Sequence, residues 1–322
     1  MAKPRFVRSL LSFHCKDTDI FEKIWWFGEK NVILSAKSVL ILEHTFTEEE
    51  RKRWNDIIIG CFRKFVEICE QHGLTYYCVG GTAIGCVRHE GLIPWDDDID
   101  VGMPRPDYDR LLEIAKETDF GTYDLVTPYS KGYYPYFFGK FCDARTKLIE
   151  NERVPCMYGA YIDVFPIDGT APTREEAAGM VRLFKRWSNK IDAVLTLMTI
   201  REWLSLALKP KEWGRMAWHA AGRLIGRERL RMLIINRLER IVRKYPYEES
   251  AYVVNYGGAW GEKEVHPREW IFPLTHGRFE GMEVNLPGDY DRYLRQIYGD
   301  YMQLPPEEKR VSQHRHAMVE LY

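Results

Sequence analysis

An apolar face of helical period runs along the chain between Thr47 and Gly73. Apolar residues recur there three and four positions apart, as on one side of an amphipathic helix. Thr47 is followed by three glutamates, which is the capping-box arrangement of a helix start. The pattern predicts one long helix that ends at His72-Gly73. Its apolar face comprises Trp54, Ile57, Ile58, Cys61, Phe62, Phe65, Ile68 and Cys69.

Shorter apolar stretches predict the remaining elements. Strands are expected at 74–79, 97–103, 136–142 and 161–165, with a turn at 80–82, a hairpin at 277–286 and a candidate strand at 31–42. Helices are expected at 83–89, 107–116, 173 to about 199, and 289–298. This order predicts an α/β (α+β) chain, in which helices flank a mixed sheet.

The same pattern divides the chain into four segments. Residues 1–46 have no role that we can assign, 47–170 form the core with the sheet, 171–250 form a mainly helical basic subdomain, and 251–322 pack back on the core. The net charge of −1 hides the basic subdomain, because 182–244 contains sixteen Lys or Arg against five acids, together with four tryptophans. This stretch is either an ordinary helical bundle or a surface that contacts an anionic membrane or glycan.

Several classes of protein are not indicated. The longest apolar run, 191–208, is broken by charged residues and is too short to span a membrane, and the N-terminus lacks a secretory signal. The seven cysteines are scattered and never spaced as C-x-x-C, so we expect reduced thiols and a cytoplasmic protein. We expect no nucleic-acid partner. His314 and His316 have no other ligand cluster near them in sequence, which favours a plain C-terminal segment.

The acidic run at 96–100 is the main candidate for chemistry. The strand period sends Asp98 and Asp100 to one face and Ile99 to the other, whereas Asp96 joins the first face only if the strand starts early. Asp97 is expected to point elsewhere. Carboxylates this close cannot all stay ionised in a low-dielectric site without a cation, and hard oxygen ligands select Mg²⁺, Mn²⁺ or Ca²⁺. The run therefore predicts a metal site.

Two other metal motifs are excluded by the residues around the run. An EF-hand loop that starts at Asp96 would need Gly and Glu where the chain has Val101 and Asp107. An aspartate-rich prenyl-transfer motif sits on a long helix, which Pro94 and Pro104 forbid here. The D-x-D site of glycosyltransferases that use sugar nucleotides remains open.

Gly80, Gly81 and Thr82 lie between a predicted strand and a predicted helix. The backbone amides of such a turn can bind a phosphate, since two glycines allow a close approach. A phosphate cradle followed by strand carboxylates is what two-metal phosphoryl or nucleotidyl transfer requires. Asp163, among apolar residues of a predicted strand, is expected to complete the site, and Asp168 is the alternative ligand.

These motifs together resemble the LicD family, which includes the fukutin-type transferases. The resemblance covers about residues 76–168 and resumes near 279–281 and 289–301. It is carried by Gly80-Gly81-Thr82, Gly85, Arg88-His89, the run from Ile93 to Asp100, and the run from Ile162 to Asp168.

The resemblance implies a polymerase-β-like nucleotidyltransferase fold for 47–170 and the transfer of a phospho-alcohol, phosphocholine above all. The donor would be a CDP-alcohol such as CDP-choline, the acceptor a hydroxyl of a cell-surface glycan or glycolipid, and the released nucleotide CMP. It further implies that Asp98 and Asp100, with Asp96 or Asp163, bind two divalent ions, Mg²⁺ or Mn²⁺. A glycosyltransferase or other nucleotidyltransferase, and a glycan-binding relative without catalysis, remain alternatives.

Cations and aromatic residues complete the expected site. Arg88, Lys140 and Arg145 are candidates for binding the phosphates, although Arg145 fits a surface turn equally well. An aromatic run beginning at Tyr133 would hold a quaternary ammonium by cation–π attraction or would pack in the core. The candidates for this alcohol-head pocket are Tyr133, Tyr134 and Tyr136.

Overall fold

The long amphipathic helix is confirmed and is α1 (Glu48–His72). Thr47 Oγ1 accepts a hydrogen bond from the Glu50 amide, and the Glu50 carboxylate accepts one from the Thr47 amide, so the capping box forms. Gly73 ends the helix in the left-handed conformation at φ 64°. The computed structural model describes residues 46–130, 132–154, 156–312, 314 and 316–322. The strand predicted at 31–42 lies outside them.

Within the described residues, eight strands form one mixed sheet and two form a separate hairpin. The strands are β1 (Tyr77–Cys78), β2 (Asp100–Pro104), β3 (Tyr123–Val126), β4 (Gly139–Ile149), β5 (Tyr158–Gly169), β6 (Tyr252–Val254), β7 (Val265–Pro267), β8 (Thr275–Phe279), β9 (Met282–Leu286) and β10 (Met318–Glu320). The central order is β1-β2-β5-β4-β10, with β3 also on β4 and with β6 and β7 continuing from the end of β5. Only β2 and β5 are parallel among these pairs.

Helices flank this sheet, which confirms the predicted α+β class. They are α2 (Gly80–His89), α3 (Arg105–Glu117), α4 (Arg174–Leu195), α5 (Ile200–Ala207), α6 (Trp213–Ile225), α7 (Arg227–Val242), α8 (Arg268–Ile271) and α9 (Tyr290–Tyr298). The apolar face of α1 lies on β4 and β5, and Ile58, Cys61, Phe62 and Phe65 are fully buried there. Burial of this face is the main stabilising contribution that α1 makes.

Three predicted boundaries near the candidate site are wrong. The acidic strand begins at Asp100 instead of 97, because the Asp96 amide closes a turn on the Ile93 carbonyl. β1 has two paired residues instead of six, since only Tyr77 and Cys78 pair with β2. Residues 80–82 belong to the first turn of α2 and do not form a turn before it.

The basic segment forms a helical layer in which α4 packs against α6 and α7. None of the helices in the part of the chain that the structure describes is long and apolar enough to cross a membrane. The described residues form one compact unit, so the division into a core, a basic subdomain and a C-terminal segment stays a prediction.

Candidate functional site

Two aspartates face each other across the parallel pair of strands. Asp100, the first residue of β2, is in register with Asp163 in the middle of β5. Asp168, the alternative ligand, lies at the far end of β5 and is buried in a two-pronged ion pair with Arg105, at 2.6 and 2.7 Å. Asp163 is therefore the carboxylate of β5 that lies beside the acidic run.

The acidic run alternates as its sequence predicts. Ile99 and Val101 are fully buried, and Asp98 and Asp100 are partly exposed. The Asp96 and Asp98 carboxylates have oxygen atoms within 4.8 Å of each other, so Asp96 lies on the same side as Asp98. Acidic side chains thus converge from the loop that precedes β2, from β2 itself and from β5.

The first turn of α2 lies directly against these carboxylates. A methyl group at Gly81 would come 2.7 Å from Asp96 Oδ2, and one at Gly80 would come 3.1 Å from Asp100 Oδ2. Gly80 also has φ 55°, which favours glycine. The Asp100 amide donates to Thr82 Oγ1 at 2.7 Å. The glycine turn and the acidic run therefore form one site, with the positive end of the helix dipole turned toward the acids.

Burial and mutual repulsion make it costly to ionise this cluster. Burial and the neighbouring Asp98 and Asp97 raise the pKa of Asp96 to about 8. Burial raises the pKa of Asp100 well above its ordinary value, and Asp98, Asp163 and Asp96 raise it further. Burial raises the pKa of Asp163 to about 6 despite the opposing effect of Lys140. Such shifts show that the cluster needs positive charge to hold all its carboxylates ionised.

Lys140 supplies part of this charge from β4. Its ammonium group is buried 2.7 Å from Asp163 Oδ1 and 3.4 Å from Glu150 Oε1, and it lies 3.3 Å from the centre of the Tyr161 ring. Tyr136 and Tyr161 donate hydroxyl hydrogen bonds to Glu150. Burial raises the pKa of Glu150, but Lys140 and these hydroxyls outweigh it and lower the pKa to about 2. The ionised Glu150 carboxylate therefore holds the Lys140 ammonium group against Asp163.

The C-terminal segment also enters the site, so the expectation that His314 belongs to a plain segment is wrong. Asp97 accepts hydrogen bonds from Ser312 Oγ at 2.6 Å and from His314 Nδ1 at 2.7 Å, and His314 Nε2 lies 3.5 Å from Asp98 Oδ2. The Asp97 hydrogen bond raises the pKa of His314 to about 10. Burial raises the pKa of Asp97, but the hydrogen bonds from His314 and Ser312, with His316 nearby, hold it well below its ordinary range.

No local signal in the sequence points to His314, because its partners lie more than two hundred residues earlier in the chain. His316 is buried against Trp54 and lies 3.9 Å from Asp97. Asp97, which was expected to point elsewhere, turns its carboxylate toward this segment and still adjoins the other acids. Glu150 and Ser312 are further residues that sequence reasoning missed.

The two arginines predicted to bind phosphate lie at different places. Arg88, on α2, donates to the Tyr301 carbonyl at 2.5 Å, and its guanidinium lies 6.0 Å from the Trp95 ring beside the acidic run. Arg145, on β4, is nearly half exposed and pairs with Asp143 at 2.5 Å. Their roles toward a phosphate stay predictions.

The aromatic run divides between core and cavity. Tyr134 is fully buried and donates to the Phe138 carbonyl at 2.9 Å, and Tyr133 is half-buried with φ 64°. Tyr136 lines a cavity of about 470 Å³ together with Phe138, Glu150 and Tyr158. Because Glu150 also reaches Lys140, the cavity adjoins the acidic cluster through two side chains.

The donor set fits a metal ion. Asp96, Asp97, Asp98 and His314 each place one possible ligand atom so that all four lie within 4.8 Å of one another. Carboxylate oxygens are the ligands that hard divalent cations prefer, and a cation would relieve the repulsion that raises the pKa of Asp96 and Asp100. Asp100 and Asp163 lie beside this group, since Asp98, Asp163 and Asp96 all raise the pKa of Asp100.

Known proteins resemble this chain, including the part that contains the acidic run and Asp163. Residues 73–182 match the family described as LicD/FKTN/FKRP, nucleotidyltransferase domain. The lipopolysaccharide cholinephosphotransferase LicD of Haemophilus influenzae is 28% identical over 262 residues, covering 78% of this chain and 90% of that protein. An uncharacterized protein of Rickettsia prowazekii is 33% identical over 67 residues, covering 21% of this chain and 24% of that protein. One of Rickettsia typhi is 42% identical over 51 residues, 16% of each chain.

Proposed function

We propose that the chain, a phosphotransferase of the LicD family, transfers phosphocholine from a CDP-linked donor to a hydroxyl of a cell-surface glycan, releasing CMP. The single observation that supports this most is the convergence of Asp98, Asp100 and Asp163 beside the glycine turn of α2. This arrangement offers a place for phosphates on one side and for cations on the other.

The carboxylates of this site would hold the cofactor, which we propose to be Mg²⁺ or Mn²⁺, with two ions bound. Asp96, Asp98, Asp100 and Asp163 are the proposed ligands, and Asp97 and His314 border them. Bound divalent cations would neutralise the carboxylates and the developing charge on the phosphates. Lys140 donates a hydrogen bond to the Asp163 carboxylate, which would keep this carboxylate in one orientation during substrate binding and product release.

The proposed reaction is an in-line displacement at phosphorus. The oxygen of the acceptor hydroxyl forms the new bond to the choline-bearing phosphorus while the bond to the CMP oxygen breaks. A strand carboxylate, Asp100 or Asp163, accepts the hydroxyl proton. Amides in the first turn of α2 and the Arg88 guanidinium are the protein groups proposed to orient the donor phosphates.

The alcohol head is proposed to bind in the cavity that Tyr136, Phe138 and Tyr158 line. Aromatic ring faces attract a quaternary ammonium group, and Glu150 adds negative charge at the wall. The Lys140 ammonium already lies 4.8 Å from the centre of the Tyr136 ring, so the same rings accommodate one cation in the protein itself. Comparable affinity for CDP-choline and CDP-ethanolamine would remove this pocket from the proposal.

The reaction is tested by replacing single ligands. Asp98→Asn or Asp100→Asn should lower CMP release from CDP-choline at least about a thousandfold, since each removes a charge that the transition state needs. Asp56→Asn, an exposed aspartate on α1, is the matched control and should keep full activity. Circular dichroism would show that all three variants fold. Near-normal turnover in either site variant would exclude the proposed role.

The donor is identified by a panel. The protein would be incubated with Mg²⁺ and either CDP-alcohols or UDP-sugars, with a glycan acceptor, while release of CMP or UDP is measured. We expect CMP release from CDP-choline and its abolition by a chelator. Release of UDP instead would assign the same site to a glycosyltransferase, the alternative that the acidic motif leaves open.

A further inference from the structure

Helix α5 turns its apolar face to solvent and its polar face to the rest of the described chain. Its apolar residues recur at helical spacing on one face, yet Ile200, Leu204 and Leu208 just beyond it are 76%, 57% and 85% exposed. Its polar face is the one turned to the protein, where Glu202 pairs with Arg153 at 2.8 Å. None of its residues is buried. An apolar stripe turned to solvent serves no packing purpose within the described residues.

Helix α6 extends the same apolar surface. Met216, His219 and Gly222 are its buried residues, while Trp213 and Leu224 are 60% and 87% exposed on the other side. The Trp213 indole donates to the Ala207 carbonyl at the end of α5, at 3.0 Å, which ties the two helices together. We call the exposed surface the apolar face. It comprises Ile200, Trp203, Leu204, Leu208, Trp213 and Leu224.

Several cations lie near the apolar face along the chain. Five exposed Lys or Arg lie between 199 and 225, against two acids, of which Glu202 is engaged by Arg153. The five cations are Arg201, Lys209, Lys211, Arg215 and Arg223. Arg215 is 3.5 Å from Asp192, and Lys209 and Lys211 lie in the link between α5 and α6. Lys209 and Lys211 thus lie between the apolar residues Leu208 and Trp213 in the chain, whereas Arg201 and Arg215 line a groove on the polar side of α5.

We propose that the apolar face binds the surface of an anionic phospholipid bilayer, with α5 and α6 lying in the plane of the interface. Apolar side chains with interspersed tryptophans and cations are the combination that such interfacial helices use. Lysine is depleted in the cores of protein–protein interfaces, so Lys209 and Lys211 favour lipid over a second copy of the chain. This inference does not depend on the proposed transfer reaction.

The structure also narrows the region that the sequence suggested for membrane contact. Some cationic and aromatic residues on α4 and α7 are engaged within the helical layer, since Lys190 lies 3.3 Å from the centre of the Trp187 ring and Arg231 is fully buried. Leu233 on α7 is 54% exposed, but the other exposed large apolar side chains of 182–244 lie on α5, its link and α6.

Flotation with lipid vesicles tests the proposal on the full chain. Vesicles of phosphatidylcholine alone would be compared with vesicles that also contain phosphatidylglycerol. We expect binding to the anionic vesicles only, weakening as salt is added. Ile200→Ser with Leu208→Ser, and separately Lys209→Glu with Lys211→Glu, should each lower binding at least about tenfold. Leu304→Ser, 46% exposed, and Lys52→Glu are the matched controls and should bind as the unaltered chain does.

Any of three results would overturn the proposal. The first is failure of the unaltered chain to float with anionic vesicles, and the second is equal flotation of both double variants. The third is a dimer in analytical ultracentrifugation that Ile200→Ser with Leu208→Ser separates, which would assign the apolar face to a second copy. Because flotation does not measure turnover, failure of the transfer reaction leaves this test intact. Thermal unfolding of each variant shows whether it folds.

Discussion

Gly81 fixes how closely the acidic run can approach α2. A Cβ atom at this position would lie only 2.7 Å from Asp96 Oδ2, which is too close for any residue other than glycine without a shift of the carboxylate. A helix that begins with two glycines is locally weak, since glycine costs up to about 1 kcal/mol per residue relative to alanine. The two glycines therefore make the helix start less stable, but they let the Asp96 carboxylate approach the helix backbone closely.

Gly81→Ala tests this arrangement. The added methyl group should displace the Asp96 carboxylate and lower turnover between about ten- and a hundredfold, because small misplacements of reacting groups have effects of this size. Stability should change little, since alanine favours the helix. Gly179→Ala on α4 is the control, as its nearest neighbour is the flexible Arg182 side chain at 3.7 Å. Steady-state rates for both variants decide the matter, and equal rates would contradict the prediction.

At the scale of elements, local patterns were predictable and pairings were not. The capping box at Thr47 and the apolar face of α1 depend on neighbours within one or two turns, and both were predicted correctly. The pairing of β2 with β5, which places Asp100 opposite Asp163, is contained in no local pattern. The sequence also left two interpretations of the basic stretch 182–244 open, a helical bundle or an exposed contact surface, because a pattern shows that a helix face is apolar but not which way that face turns.

Arg231 is the residue that joins α7 to the loop before β4. It is fully buried and donates to the carbonyls of Pro128, Ser130 and Tyr134 at 2.8, 3.0 and 3.1 Å. Arg231→Met should lower the free energy of unfolding by about 3 kcal/mol or more, because each buried carbonyl without a donor costs about 1 to 3 kcal/mol. Urea unfolding measures this. Arg229→Met, at an exposed position of the same helix, should stay within about 0.5 kcal/mol of the unaltered chain.

On the scale of the whole molecule, the candidate site is assembled from distant parts of the chain. The acidic run, α2 and Asp163 lie within the stretch 80–163, and the sequence motifs predicted that they meet. Ser312 and His314 join them from 215 and 217 residues away from Asp97, and Glu150 joins through Lys140. These contacts follow from the folded sheet, in which β10 pairs with β4, so no spacing in the sequence could indicate them.

Overall stability should depend on pH through Glu264. This residue is 4% exposed, and burial raises its pKa from 4.5 to about 7. Between these values the folded chain keeps a proton that the unfolded chain releases, so the free energy of unfolding falls as pH rises, by roughly 3 kcal/mol in total. Glu264→Gln should remove this contribution, and its stability relative to the unaltered chain should rise between pH 4.5 and 8.

Urea unfolding across that range measures the difference between the two proteins, in which the effects of other titrating groups cancel. Glu262→Gln, in the same turn but half exposed and paired with Arg182, is the matched control for the loss of one carboxylate there. A flat difference for Glu264→Gln would show that Glu264 titrates normally.

The hydrogen bonds of Ser312 and His314 to Asp97 have a consequence for biosynthesis. A ribosome adds about 5 to 20 residues per second, so Asp97 leaves it roughly ten seconds or more before His314 has been translated. Until then the nascent acidic loop lacks the imidazole and hydroxyl groups that later donate hydrogen bonds to Asp97. The acidic loop therefore cannot take its final surroundings before residues 312 and 314 have been translated.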